Sequence, residues 1–264
     1  MVCRALRRAL ATATTIVPAG GTVSVVVRGD EFDVVGFDAD DTLWRSENFF
    51  ADAEDKFAEW VQPYAPDGID VLDSLHAIEL DNVPISGYGV KAFALSMIQS
   101  AVTATSARVP SAVLGQLVDL AHEMLMHPVE LLPGVPETLA AVGRTHRLVL
   151  ITKGDLVHQV RKVRTSGLEH HFEHIEVVLE KDADTYGRIL DEWGIDPARF
   201  AFIGNSVRSD VLPLVEIGAT GIHVPYELTW DHEVVDDHGG GFVELSSITD
   251  VPAWLAGPSS SPPR

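Results

Sequence analysis

The sequence predicts a doubly wound α/β fold, a parallel sheet with helices on both faces, interrupted by an all-helical insert. Three observations predict it. Short apolar runs rich in Val, Ile and Phe recur along the chain between turn residues, the pattern of strands buried on both faces. Stretches of helical periodicity alternate with these runs, as in a βαβ succession. About 110 residues of helical pattern separate the first run from the second, far more than one βα unit needs.

The elements follow in order. Arg4, Arg7 and Arg8 precede an uncharged stretch from Ala9 to Val27 that Pro18, Gly20 and Gly21 break, so residues 1–30 read as a leader with a short strand at Val23–Val27, not as an anchor. The first core strand is Asp33–Phe37. The insert covers 47–130, where three apolar stripes fall at helical spacing: Phe49, Phe50, Ala53, Phe57, Trp60 and Val61; then Val90, Phe93, Leu95, Met97 and Ile98; then Val113, Leu114, Leu117, Val118, Leu120, Ala121, Met124 and Leu125. Pro136 suits the first turn of a helix that returns to the core. The second strand is Arg147–Ile151, followed by a helix over Leu156–Ser166. The third is Ile175–Leu179, followed by a helix over Asp184–Trp193. Phe200–Ile203 and Thr220–Val224 complete the set. The core therefore comprises 31–46 and 131–256, and the Pro- and Ser-rich end, 257–264, reads as a disordered tail.

Composition narrows the function. The chain has 264 residues, 46% of them hydrophobic, enough for a sizeable core. Its net charge of −20 argues against a nucleic-acid binder and against docking on anionic lipid. A small anionic ligand then requires local positive charge or a metal ion. The single cysteine, Cys3, excludes an internal disulfide framework and any multi-cysteine zinc site.

Ligands of open parallel sheets bind at the carboxyl ends of the strands. Behind the first strand stands Asp38-Ala39-Asp40-Asp41-Thr42-Leu43-Trp44. Behind the second stand Thr152, Lys153, Gly154 and Asp155. Lys181 follows the third, and Gly204-Asn205 through Asp210 follows the fourth. Each alone reads as a turn or a cap; four such strand ends in this order converge on one sheet edge. His170, His171 and His174 read as turn histidines, Trp230 to His238 as an acidic loop, and Gly239–Gly241 lacks the strand-then-helix context of a nucleotide-binding loop.

These four motifs resemble those of the haloacid dehalogenase-like superfamily, from about Phe32 to Val224, and the helical insert is similar to its type-1 cap. The resemblance implies a Rossmann-like core and catalytic roles for Asp38, Asp40, Thr152 and Lys181. Asp38 would be the nucleophile, forming an aspartyl-phosphate, and Asp40 the general acid and base. It implies Mg²⁺ held by Asp38, the Asp40 carbonyl, Asn205 and Asp210. Asn205 departs from the acid more common at its position; its amide oxygen can still ligate Mg²⁺ but removes one negative charge. Thr42, Trp44, Lys153 and Gly154 are expected at the substrate, with Arg45 and the cap segment Gly87–Lys91 as further specificity elements. The expected activity is phosphatase action on a small phosphorylated metabolite, in the cytoplasm. A phosphomutase or phosphotransferase on the same fold, or a non-catalytic phosphate-binding module, stands as the alternative. Asp40 disfavours a dehalogenase, because a departing halide needs no proton.

Overall fold

The computed structural model describes residues 31–228 and 241–257. Among these, six parallel strands form one sheet: β1 (Val34–Phe37), β2 (Arg147–Lys153), β3 (His174–Val178), β4 (Phe200–Gly204), β5 (Thr220–His223) and β6 (Val243–Glu244), in the order β3-β2-β1-β4-β5-β6. β1 lies between β2 and β4, with Val34 opposite both Arg147 and Phe200. The chain works outward from β1 through β2 to β3, then returns to β1's other side at β4. That reversal makes the carboxyl ends of β1 and β4 the topological switch point, where open α/β sheets hold their ligands.

Strand alternation divides the core. Val35 and Phe37 face one layer, with Leu139, Leu148, Val163 and Val251. Val34 faces the other, with Ile151, Tyr186, Phe200, Phe202 and Leu214. The insert between β1 and β2 contains α1 (Glu47–Val61), α2 (Val71–Ser86), α3 (Val90–Ala104) and α4 (Ser111–Met126). It buries its own cluster, including Phe57, Leu75, Phe93, Met97 and Leu117. α5 (Val135–Val142), α6 (Leu156–Ser166), α7 (Ala183–Trp193), α8 (Leu212–Glu216) and α9 (Val251–Ala256) complete the described residues. The two chain crossings into the insert run side by side: Arg45 N donates to Glu130 O at 2.9 Å and Leu132 N to Leu43 O at 2.9 Å.

The strands expected at 33–37, 147–151, 175–179, 200–203 and 220–224 form with small shifts of their ends. β2 runs two residues further than expected, so Thr152 and Lys153 lie within the strand, and β6 was not anticipated. The expected Val23–Val27 strand, the loop around Trp230 and the residues beyond Gly257 lie outside the described residues. Among the described residues no helix is long and apolar enough to cross a membrane.

Candidate active site

A cavity opens between the carboxyl edge of the sheet and the insert. Asp38, Asp40, Thr152, Lys153, Lys181 and Asp210 line its core side; Glu47, Phe50, Glu79 and Phe93 line its insert side. The four expected catalytic residues, the three side chains expected as metal ligands, Lys153 and Gly154 thus share one space.

Its centre is a buried triad. The Lys181 ammonium donates to Asp38 Oδ1 at 2.5 Å and to Asp210 Oδ1 at 2.6 Å. Burial pushes the Asp38 carboxyl up to about 7; Lys181 opposes that rise and Asp210 adds to it. Burial works against the Lys181 charge, yet Asp210 and Asp38 together raise its pKa above the ordinary value. Asp210 reaches the triad because β4 ends in Gly204: a Cβ there would stand 2.3 Å from Asp210 Cγ. A turn of π-helix, Val207–Val211, presents the aspartate, and its Oδ2 accepts the Ser206 N–H at 3.0 Å. Such turns are frequent at functional sites.

The second carboxylate, Asp40, is held by different partners. Lys162 Nζ lies 2.6 and 2.8 Å from its two oxygens, Gln159 Nε2 donates to Oδ2 at 2.8 Å, and Trp44 Nε1 donates to Oδ1 at 2.6 Å. Burial opposes the charge, but Lys162 and these hydrogen bonds hold the Asp40 pKa below its ordinary value. The third aspartate, Asp41, turns away. Its carboxylate accepts the backbone N–H groups of Ser46 at 2.8 Å and Glu47 at 3.0 Å, capping α1, where Ser46 itself provides no side-chain cap. Burial and the neighbouring Asp40 push Asp41 up to about 7.

Two residues expected at the substrate are placed elsewhere. Trp44 is 1% exposed, packed in the core layer beside α5, with its indole N–H spent on Asp40. Thr42 is also buried, beside Asp38, its hydroxyl 2.9 Å from Asp38 Oδ2 and 3.3 Å from Asn205 Oδ1. The cause is local: Asp41 takes a left-handed conformation (φ 58°), and Leu43 N closes on Ala39 O at 2.8 Å, folding the chain back under the sheet edge. Gly154 does line the cavity, in a left-handed conformation (φ 134°) with the Gln159 amide packed close against it.

The segment Gly87–Lys91 meets the core at this edge. Tyr88 OH donates to Glu180 Oε1 at 2.6 Å, Lys153 Nζ lies 4.1 Å from the Tyr88 ring centre, and Lys91 pairs with Asp155 at 3.0 Å. Arg45 lies outside the cavity lining and donates to Tyr226 OH at 3.2 Å.

Sequence reasoning missed Lys162 and Gln159. They belong to the inward side of α6, where Gln159 is 3% exposed beside buried Val163, whereas Val157 opposite is 68% exposed. His170 and His171 form a turn before β3, and His174 stacks on Trp193. Among the described residues no three or more His, Cys, Asp or Glu side chains are grouped as a metal centre. The side-chain oxygen donors that line the cavity at the switch point include the carboxylates of Asp38 and Asp210 and the amide oxygen of Asn205.

An aspartate-rich turn after β1, a lysine after β3 and an acidic turn after β4, roofed by an inserted helical unit, define a hydrolase of the haloacid dehalogenase type. The family model for haloacid dehalogenase-like hydrolases matches residues 32–218, and the chain belongs to that family. The chain is similar to the crystal structure of a haloacid dehalogenase-like family hydrolase from Xanthomonas campestris, with 40% identity and a TM-score of 0.77, covering 89% of this chain and 95% of that one. It shares its fold with a 2-haloacid dehalogenase from Pseudomonas syringae (20% identity, TM-score 0.58, covering 85% and 98%). It shares it equally with a predicted phosphoglycolate phosphatase from Haemophilus somnus (17% identity, TM-score 0.56, covering 85% and 98%). No curated protein matches the chain.

Proposed function

We propose that this hydrolase is a Mg²⁺-dependent phosphatase, acting on small phosphomonoesters through an aspartyl-phosphate at Asp38. The observation that carries the reading is the second carboxylate: Asp40 lines the same cavity as Asp38 and is held there by three donors. An alkoxide leaving group needs a proton and a halide does not, so a fixed second carboxyl favours ester cleavage.

In the first half-reaction an Asp38 oxygen attacks phosphorus while the ester P–O bond breaks, and the departing oxygen takes a proton from Asp40. In the second, the Asp40 carboxylate takes a proton from water as that water's oxygen attacks phosphorus, releasing phosphate and the free Asp38 carboxylate. Lys162 favours the ionised form of Asp40 before substrate binds. The proton for the first step therefore arrives with the ester, whose phosphate titrates near a second pKa of about 6. Lys181, Lys153 and the Thr152 hydroxyl face the phosphoryl oxygens and offset their charge.

Hard oxygen donors without nitrogen or sulfur fit Mg²⁺: Asp38, Asn205, Asp210 and the Asp40 carbonyl would hold it. When bound, the ion neutralises charge on the transferring phosphoryl group.

The test is release of p-nitrophenol from p-nitrophenyl phosphate, with Mg²⁺ or with EDTA, alongside Asp38→Asn. The expected result is metal-dependent release that the substitution abolishes. Release by folded Asp38→Asn protein at the wild-type rate would overturn the mechanism.

A further inference from the structure

We infer that Lys162, seconded by Gln159, is a positioning residue that aims the Asp40 carboxylate at the leaving-group oxygen; the inference rests on the phosphatase reading above. Lys162 touches both Asp40 oxygens, at 2.6 and 2.8 Å, with its side chain only 13% exposed. The ammonium sets the distance on the carboxylate's axis, and the Trp44 and Gln159 donors, one on each oxygen, set its plane. Gln159 ties the same carboxylate to the end of β2: Nε2 reaches Asp40 Oδ2 at 2.8 Å, Lys153 O at 2.7 Å and Thr152 Oγ1 at 3.2 Å. Trp44, four residues on in the same turn, completes the hold.

The molecule maintains this arrangement at a cost. Among the described residues Gln159 Oε1 is buried and has no hydrogen-bond partner. Flipping the amide would not help, because the oxygen would then face the Asp40 carboxylate and the Lys153 carbonyl. Val157 of α6 stands in solvent on the opposite side, while Gln159 and, three residues on, Lys162 face inward. Local rules broken together in this way mark functional positions. As Asp40 gives up its proton to the leaving oxygen, the Lys162 ammonium is already placed against the carboxylate that forms.

The consequence concerns the leaving group. Nitrophenolate departs without a proton, whereas an alkoxide does not, so loss of aim at Asp40 should weigh on alkyl esters. The experiment compares kcat/KM, which reports events up to release of the alcohol, for ethyl phosphate and p-nitrophenyl phosphate with Mg²⁺. The proteins are wild type, Lys162→Met, Lys162→Arg, Asp40→Asn and the Lys162→Met/Asp40→Asn double variant. Lys162→Met is expected to lower kcat/KM on ethyl phosphate about 30-fold more than on the nitrophenyl ester, a partial loss of the roughly 10²–10⁴-fold that general acid catalysis contributes. Lys162→Arg should restore most of that ratio. In the Asp40→Asn background Lys162→Met should cost less than about 3-fold, since both act on one path. Lys162→Gln serves the same comparison if the methionine variant does not fold. Equal losses on both esters, or an undiminished effect in the Asp40→Asn background, would overturn the inference while leaving the phosphatase reading intact. A folded wild type that hydrolyses neither ester would overturn both.

Discussion

Lys181→Met removes the one positive charge between two buried carboxylates. Lys181 and Asp210 side chains are each 2% exposed and Asp38 is 8% exposed, so solvent cannot take over the lost hydrogen bonds. Breaking a buried ion pair from one side costs about 3–5 kcal/mol. Two like charges about 4 Å apart at an effective dielectric of 20 repel by a similar ~4 kcal/mol. Domain stabilities lie near 5–15 kcal/mol, so the variant should fold but with much of its margin gone. The loss depends on pH. Asp38 already titrates at about 7 with Lys181 present, and without it the native state binds that proton more tightly than the unfolded chain does. Stability of the variant therefore falls as pH rises from the ordinary carboxylate range through the raised native pKa, and the deficit shrinks in acid. Urea unfolding followed by tryptophan fluorescence, in EDTA, should give a deficit of about 4 kcal/mol at pH 7.5 and one smaller by about 1 kcal/mol at pH 5, because the two proteins diverge with pH only where wild-type Asp38 ionises, near 7 and above. A deficit below about 1 kcal/mol at pH 7.5, or one of equal size at both pH values, would refute the buried-triad account.

Gly204→Ala places a Cβ 2.3 Å from Asp210 Cγ, so Asp210 must leave its place against β4. Overpacking of this kind costs about 1–3 kcal/mol, and Mg²⁺ affinity, read by titration calorimetry, should fall at least about tenfold. Glu79 lines the insert wall, and burial together with Glu54 pushes its carboxyl up to about 7. Because its native pKa exceeds the unfolded value, its charge destabilises the fold increasingly as pH rises from about 4.5 to about 7. Glu79→Gln should therefore melt a few degrees above wild type at pH 8 and level with it near pH 4.5. The corresponding gain, discounted for a group on an open cavity, is about 1 kcal/mol.

Much of this fold was legible because its signals are periodic. β1, β2 and β4 are apolar on both faces, so an uninterrupted run such as Val34-Val35-Gly36-Phe37 announces a central parallel strand. The residues following each strand lie at one edge by topology alone, which brought Asp38, Thr152, Lys181 and Asp210 together. β6 was not legible: two residues, Val243 and Glu244, are too few to display a period. Gln159 and Lys162 were missed for another reason. Their helix was read for its apolar spacing, and a polar residue turned inward matters only once its partner, more than a hundred positions earlier, is known. Thr42 and Trp44 were misplaced because nearness in sequence to Asp38 and Asp40 does not imply a shared direction after a left-handed turn at Asp41.

The segment Asp38-Ala39-Asp40-Asp41 shows why such roles elude local reading. Three identical side chains within four residues acquire three states from what faces them. Asp38 meets Lys181 and the Thr42 hydroxyl in a buried pocket and is pushed up to about 7, where a modest change in surrounding charge decides whether it is ionised. Asp40 meets Lys162, Gln159 and Trp44 and is held ionised. Asp41 meets the backbone N–H groups of Ser46 and Glu47, so it anchors the insert's first helix. The first partner comes from the turn after β3, the second from α6, and the third from the insert itself. Each state is therefore set by a different part of the fold, and moving one element by a single turn would exchange the chemistry of a residue whose own sequence had not changed.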